Sequence, residues 1–494
     1  MGIIAKQGIK GTIWSYLGLV VGYLNLGIIM PHFLSPDKIG LIQLFAATSA
    51  IFAQFSSLGF NRVTDRLFPY FRDRMNRHNG FLFLAISVAM IGFTLATVAF
   101  FILKPRIIET NLHTSPLIVK YIMLMLPLIF FQLIFSLLET YNKNLRDAVT
   151  AIFWSEFVHK SVNLLLIIGV ALGWLNFRQF FFGYIVSVCM PVIPLTIVLI
   201  KRGDFSLKPD LGYAKKYTKE MISISAYGLF NGFSGNLTSN IDKLMVHHYL
   251  SLQSLGIFSV CSLFARVIKI PGNSVSSIST GLIAQSWKEN NINHIQEIYY
   301  KASITQMVIG SLLFIGILIN IDTIFQILPA AYIKGKWVII IYSFGVLVST
   351  VNSMNGTIIA TSAQYKALTY FVLLTFAISV ISSVLLIPPF GIIGAAIATS
   401  ITYIITNAAK FLFIKIKFGM NCFGIKHLTV LFIAILLVLL GNVLPGFGNW
   451  IISFIFKSSI ISLLYVALIW KLNISEDITK LLNFAWQSVL KLKK

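Results

Sequence analysis

The chain carries fourteen stretches of about twenty apolar residues, each long enough to cross roughly 30 Å of hydrocarbon as a helix. No other feature constrains its fold as strongly. Inside lipid every backbone N–H and C=O must find a partner within the protein, which leaves only helices and closed barrels. A barrel strand alternates apolar and polar residues, whereas these runs are continuous. The reading is an all-α integral membrane protein with about 14 transmembrane helices. The spans are expected near 11–31, 40–60, 81–103, 118–139, 151–172, 179–200, 221–240, 255–275, 302–321, 337–358, 369–387, 391–412, 427–445 and 451–470. The longest polar connections, 61–79, 201–220 and 276–301, read as loops rather than domains. No small-residue cleavage site follows the stretch 12–34, so it reads as a first helix and not a removed signal.

Charge supplies the orientation. There are 39 Lys+Arg against 16 Asp+Glu, a formal net charge of +23, in a chain that is 57% hydrophobic and only 11% charged. A basic excess of this size in a soluble domain would suggest nucleic acid, but this chain is too apolar to remain in water. With the spans above, 27 basic residues fall on the side shared by both termini and nine on the other. The positive-inside rule then places both termini of a multi-pass protein in the cytoplasm. The cysteines Cys189, Cys261 and Cys422 have no spacing that suggests a metal or a disulfide framework.

An internal repeat is visible. His32-Phe33-Leu34-Ser35 followed by Ile39-Gly40-Leu41 recurs, 216 residues later, as His248-Tyr249-Leu250-Ser251 followed by Leu255-Gly256-Ile257. The same offset carries spans 4, 5 and 6 onto spans 10, 11 and 12. A G-x-x-x-G opens each half, at Gly18/Gly22 and at Gly228/Gly232, which allows helices to approach closely. Six helices is an even number, so the halves share an orientation, as in transporters built from parallel repeats. The expected domains are six-helix lobes at 1–205 and 206–417, helices 13 and 14 within 418–472, and an amphipathic cytoplasmic tail at 473–494.

Ionisable groups within spans cost about 2.5–3.5 kcal/mol each on insertion scales and usually face a cavity or a partner. Three basic residues lie there: Lys160, Arg266 and Lys269. Arg266 and Lys269 are three residues apart, hence on one helical face, and no acid lies within a helical turn of Arg266. Together with Lys160 they are candidates for the floor of a cavity that binds an anionic headgroup. The competing reading is structural: Glu156 and Lys160, at i,i+4, can neutralise each other, and a terminal lysine can reach the interface. Glu156, His159 and Asp242 are candidates for coupling to a proton or sodium gradient. Asp242 falls at an outer helix end. The polar seventh span adds Asn231, Asn236 and Thr238. The basic segment 61–79, with Arg62 and Arg66, reads as a topology anchor beside anionic lipid or as a site that captures a phosphorylated headgroup. In the tail, Ile478, Leu481, Leu482, Ala485 and Val489 share one face ahead of Lys491, Lys493 and Lys494, the pattern of a surface helix.

Several motifs are familiar. They are Gly8-Ile9-Lys10-Gly11-Thr12-Ile13-Trp14, Leu34-Ser35-Pro36 with Gly40, and Arg66-Leu67-Phe68-Pro69-Tyr70-Phe71 with Asn79-Gly80-Phe81. Leu328-Pro329, Tyr332 and Gly335 form a fourth, and Pro389 with Gly391-Ile392-Ile393-Gly394-Ala395-Ala396-Ile397-Ala398 a fifth. Over essentially the whole chain these resemble the polysaccharide transporter family, the lipid-linked oligosaccharide (O-antigen type) flippases of the MOP, or MATE-like, superfamily. The resemblance implies a transporter rather than an enzyme. It would move an undecaprenyl-pyrophosphate-linked oligosaccharide from the cytoplasmic to the outer leaflet by alternating access, for surface polysaccharide biosynthesis. It also implies membrane lipids and other polysaccharide-assembly proteins as partners, no nucleic acid and no cofactor beyond an ion gradient. Cationic residues in a central cavity would hold the substrate, a role that suits Arg266 and Lys269. Relatives often carry basic residues inside the first helix, and this chain has none there.

Two other functions compete. A cation-coupled multidrug exporter of the same superfamily would carry acidic residues deep in the first helix of a lobe, and span 1 has none. A membrane-embedded polysaccharide polymerase or acyltransferase needs an acid/base set on a sizeable outer loop, and the outer loops are short. No Walker A sequence is present, so this chain does not hydrolyse nucleotide through such a motif.

Overall fold

A computed structural model of the chain describes residues 3–447 and 449–492, without the side chains of 3–6, 8, 211, 230, 231, 233–238 and 485–492. Gly8 of the opening motif, Asn231, Asn236 and Thr238 of the seventh span, and Ala485, Val489, Lys491, Lys493 and Lys494 of the tail thus lie outside the described residues. Every regular element among the described residues is a helix. In the first half of the chain these are α1 (Ile9–Phe33), α2 (Pro36–Ser56), α3 (Phe60–Phe71), α4 (Phe81–Asn111), α5 (Pro116–Asn144), α6 (Val149–Ala171), α7 (Phe177–Arg202) and α8 (Leu211–Tyr249). There follow α9 (Leu252–Arg266), α10 (Lys269–Lys288), α11 (Ile292–Ile319), α12 (Lys336–Val351), α13 (Met354–Thr361), α14 (Ala367–Phe418), α15 (Ile425–Val443), α16 (Trp450–Lys471) and α17 (Glu476–Leu492).

Among the described residues eleven helices are long and apolar enough to cross a membrane, or twelve if the bent pair α9–α10 is one span. That is fewer than the fourteen expected, and the difference lies in two elements. The expected spans 369–387 and 391–412 are the two arms of α14, which turns at Gly391 (φ 59°, ψ −137°) and counts once among the eleven. There the chain folds back on itself: Ser382 Oγ reaches the Ala398 carbonyl at 3.3 Å, and Gly394 packs on the Leu386 carbonyl with no room for a Cβ. Only glycine adopts that backbone conformation at low cost. The second element is α8, which carries the seventh expected span over 39 residues and is not one of the eleven.

The connections expected as loops are largely helical. Segment 61–79 opens with α3, which buries Phe60, Val63, Thr64, Leu67, Phe68 and Phe71, an amphipathic spacing that a hydropathy profile averages away. Hydropathy marks where the bilayer ends, whereas backbone hydrogen bonding carries a helix on into water.

The chain divides into two compact units, Met1–Gly256 and Ile257–Lys494. In the N-terminal unit, glycines set the closest helix contacts. On α1, Gly18 lies against the Glu156 carbonyl and Gly22 against the Lys160 side chain of α6. On α8, Gly228 packs on the Gly59 carbonyl and Gly232 on the Gln54 amide. Both G-x-x-x-G sequences therefore act as packing surfaces. The repeated motif also meets itself. A Cβ on Gly40 would collide with the Leu252 carbonyl, and a Cβ on Gly256 with the Pro36 carbonyl. These two collisions differ by the same 216 residues in each partner, so the contact is reciprocal, as a local two-fold axis requires.

The turn between α3 and α4 is a strained one. Arg77, His78 and Asn79 have φ of 52°, 56° and 49°, followed by Gly80 at 67°. Three consecutive non-glycine residues in the left-handed region cost roughly 1–2 kcal/mol each, so their neighbours must impose the shape. Buried His78 meets Asp204 at 3.2 Å, Asn79 Nδ2 donates to the Phe71 carbonyl at 3.1 Å, and Gly80 backs onto the Asp210 amide. Asp73 accepts from the Met75 and Asn76 amides and from the Asn76 side chain. The bonds from Asn76, foremost, hold its carboxyl below the usual carboxylate range.

In the C-terminal unit, α11 packs against α15 and α16 through Val308, Ile315, Val430, Leu437, Ile461 and Tyr465. Lys301 on α11 ties down α17, meeting Glu297 at 2.7 Å and Glu476 at 3.2 Å.

Two outcomes follow. Gly40→Val overpacks a backbone contact, which typically costs about 1–3 kcal/mol; thermal unfolding in detergent should show a lower midpoint, and an unchanged one would contradict the reciprocal contact. His78→Ala leaves the 77–79 turn without its Asp204 tether, and limited proteolysis should find a new cleavage site there.

Candidate functional site

The cations expected to bind an anion gather in the C-terminal unit, though not as one smooth helical face. The chain breaks at Val267–Ile268, so Arg266 ends α9, Lys269 begins α10, and the two helices bend by 53°. This corrects the expectation of a straight span across 255–275. A break placed between two charged residues frees them from helical register, and Lys269 remains within electrostatic reach of Arg266. The Arg266 guanidinium stands 5.8 Å from the centroid of the Tyr342 ring on α12, a cation–π distance.

A third cation joins them. Lys410 lies within electrostatic reach of Lys269. On sequence it counts with the basic connection that follows the expected span 391–412; in the structure it belongs to the last turns of α14 and is half-buried. Hydropathy misplaced it because the window ends where the lysine begins. No Asp or Glu occurs between Asp242 and Glu289 or between Asp322 and Glu476, so α9, α10, α12, α13 and α14 contain no acid of their own.

A polar seam continues from these cations. Gly272, one turn beyond Lys269, packs on Thr350. Ser276 bonds Ser353 at 3.1 Å, and Ser353 donates to Gln306 at 2.7 Å. Tyr299 donates to Asn355 at 2.5 Å, and Asn355 donates to the Asn407 carbonyl at 3.2 Å, one turn from Lys410. The sequence reading missed these amides and hydroxyls because uncharged residues give no signal against an apolar background.

The remaining candidates lie in the N-terminal unit. Lys160 forms an ion pair with Glu156 at 2.6 Å, so these two neutralise each other. Asn25 of α1 donates to the Lys160 carbonyl at 2.9 Å. The backbone here is irregular, with π-helical turns at Leu24–Ile29 and Phe153–Val158; such turns recur at functional sites. His159 reaches Asn163 at 3.3 Å and Ser187 at 3.3 Å and borders a cavity of about 320 Å³. Glu139, which the sequence reading passed over at the edge of a span, is half-buried and within electrostatic reach of Glu156.

Asp242 was expected at an outer helix end. The helix instead continues to Tyr249, and Asp242 is buried, accepting from the Lys243 amide at 2.8 Å while the Lys243 ammonium donates to Gln43. Arg62 and Arg66 lie on the face of α3 away from its buried residues, and Arg66 is exposed. The structure thus brings Arg266 and Lys269 together with Lys410, and Glu156 together with Lys160. Among the described residues no group of three His, Cys, Asp or Glu could hold a metal.

Comparison with known proteins places this geometry in context. CapF, a capsular polysaccharide biosynthesis protein of Staphylococcus aureus, is 23% identical over 346 residues, 64% of this chain and 87% of that protein. The solved structure of a lipid II flippase, MurJ, in an inward closed conformation matches with a TM-score of 0.75 at 13% identity, covering 94% of this chain and 99% of its own. An inward-facing multidrug resistance MATE transporter of the MOP superfamily matches with a TM-score of 0.65 at 12% identity, covering 83% of this chain and 98% of its own. At such identities the structures establish the fold alone, which is shared with these two transporters. The polysaccharide biosynthesis protein family matches residues 9–283, more than half of the 494 residues, and the chain belongs to that family.

Proposed function

We propose that the protein is a flippase that moves a lipid-linked oligosaccharide, carried on undecaprenyl diphosphate, from the cytoplasmic to the outer leaflet of the bacterial inner membrane. The observation that carries this reading is the grouping of Lys269 with Arg266 and Lys410 in helices that contain no acid. Like charges gathered in an apolar protein repel one another and lose hydration. An anionic ligand reverses both penalties, and a diphosphate bears the compact negative charge that lysine and arginine bind best. The polyprenyl tail needs only lipid. The sugar–diphosphate head, in contrast, cannot cross hydrocarbon unaided, since stripping its polar groups of water costs several kcal/mol apiece.

Transport by alternating access divides the protein into moving lobes at 1–205 and 206–417, with both termini in the cytoplasm. The MOP-superfamily fold supports this reading, and membership of a polysaccharide biosynthesis family favours a glycan substrate over a drug. No covalent bond of the substrate changes, so the protein works without a catalytic residue or cofactor. The driving force is an ion gradient acting through Glu156, His159 or Asp242. Substrate arrives from and leaves to other polysaccharide-assembly proteins.

Deleting the gene should make lipid-linked oligosaccharide accumulate while surface glycan disappears; unchanged lipid intermediates would sink the proposal. In a complemented strain, Arg266→Ala or Lys269→Ala should abolish surface glycan at normal protein level. Full activity in both would return these cations to a structural role.

The Glu156–Lys160 pair makes a separate prediction, because breaking a partly buried ion pair is worse than removing it. Lys160→Met should impair transport more than the double variant Glu156→Gln/Lys160→Met. A double variant as inactive as the single one would mean that Lys160 itself contacts substrate or that Glu156 carries the coupling ion.

A further inference from the structure

The cavity in the N-terminal unit has a chemistry unlike that of the cation cluster. It lies between α2, α5, α6 and α7, and Gln54, Gln132, Phe135, Ser136, Ser155 and His159 supply its polar and aromatic wall. Three helices contribute residues one turn apart: Ala50 with Gln54, Gln132 with Ser136, and Ser155 with His159, the i,i+4 spacing that points both side chains one way. Two backbone irregularities flank the space. The π-helical turn Phe153–Val158 contains Ser155, and α7 is interrupted at Met190–Pro191, beside the lining residue Pro191. Kinks and π-turns are how a helix bundle opens room between otherwise close-packed elements.

The lining selects a ligand class. It holds two primary amides, two hydroxyls and an imidazole, with one phenyl ring, and no carboxylate, lysine or arginine. An anion would require cations here, and a hard metal ion a cage of charged oxygens. Neutral donors and acceptors beside an aromatic face suit a ligand made of hydroxyl and acetamido groups on an apolar ring. The cavity's 320 Å³ lies at the lower end of the roughly 300–1,000 Å³ of small-molecule sites, enough for one sugar ring. Most of the polar groups are engaged: Ser136 accepts from Asn61 at 2.8 Å, Gln54 donates to Ser57 at 3.4 Å, His159 meets Asn163 and Ser187, and Ser155 donates to the Ala151 carbonyl at 2.8 Å, which leaves its oxygen able to accept. The Gln132 amide makes no hydrogen bond among the described residues, leaving two donors and an acceptor for a ligand.

We infer that this cavity is a subsite for a neutral sugar ring of the transported glycan, with Gln132, Ser136 and Ser155 as its hydrogen-bonding groups. The inference rests on the flippase reading and extends it. The uncharged part of the substrate is recognised here by amides and hydroxyls of the N-terminal unit alone.

The test uses the full-length protein in lipid nanodiscs and two probes: undecaprenyl diphosphate, and the undecaprenyl-diphosphate-linked oligosaccharide extracted from the deletion strain. Gln132→Leu should weaken binding of the glycan-bearing lipid about tenfold, the effect of losing roughly one ligand hydrogen bond, and leave undecaprenyl diphosphate unaffected. Ser155→Ala, a smaller change, should shift the same ratio in the same direction and serves if Gln132→Leu does not fold. If both lipids weaken together, or neither changes, the sugar subsite is overturned while the flippase reading stands. If the unsubstituted protein binds neither lipid, the flippase reading itself has failed.

Discussion

A charge inside an apolar protein must be neutralised or used, and most features of this molecule follow from how it meets that demand. Glu156 and Lys160 settle it locally by pairing one helical turn apart. Asp204 settles it across the N-terminal unit, taking His78 and Arg74, while Asp147 takes Arg202 at 2.6 Å. In the C-terminal unit the carboxylates that pair with Lys336 and Lys301, namely Asp322, Glu297 and Glu476, are exposed, where water already meets the demand. Lys269 and Lys410 stand apart from this pattern, each within electrostatic reach of another cation. The anion site proposed for these cations would give their grouping a use.

The second organising constraint is close approach of backbones. With lipid on the outside there is little hydrophobic drive to bring helices together, so contact area and small residues decide which surfaces meet. Gly18 and Gly22 let α1 rest on α6, and Gly228 and Gly232 let α8 rest on the segment from Gln54 to Gly59. The reciprocal contact of Gly40 and Gly256 is the same device applied to the internal repeat: two copies of one turn meet through the residues that lack a side chain. The repeat seen in the sequence thus corresponds to a physical contact.

Much of the fold was legible because the bilayer imposes a coarse rule, namely long apolar runs, that a sequence shows directly. The finer features depend on tertiary partners and left weaker traces. Nothing local in Arg77-His78-Asn79 announces a left-handed turn, since Asp204 and Asp210, more than a hundred residues away, hold it in place. The break at Val267–Ile268 sits inside a stretch that reads as one span, where hydropathy is blind to backbone direction, whereas the turn at Gly391 falls at the expected boundary between 369–387 and 391–412. Arg266 and Lys269 stood out as charges in apolar surroundings. Lys410 did not, because it lies where a span meets a basic connection. Gln132 and Ser155 were invisible for a different reason, since an uncharged polar residue in a membrane helix is common and only the shape around it reveals a cavity.

The central claim is translocation itself, and reconstitution measures it most directly. Purified protein would be placed in vesicles containing lipid-linked oligosaccharide, and the glycan exposed on the outer leaflet followed with a membrane-impermeant sugar-oxidising reagent under an imposed ion gradient. The account predicts that glycan initially shielded in the inner leaflet becomes reactive far faster than in protein-free vesicles. A rate equal to that of protein-free vesicles, with correctly folded protein in the membrane, would contradict it.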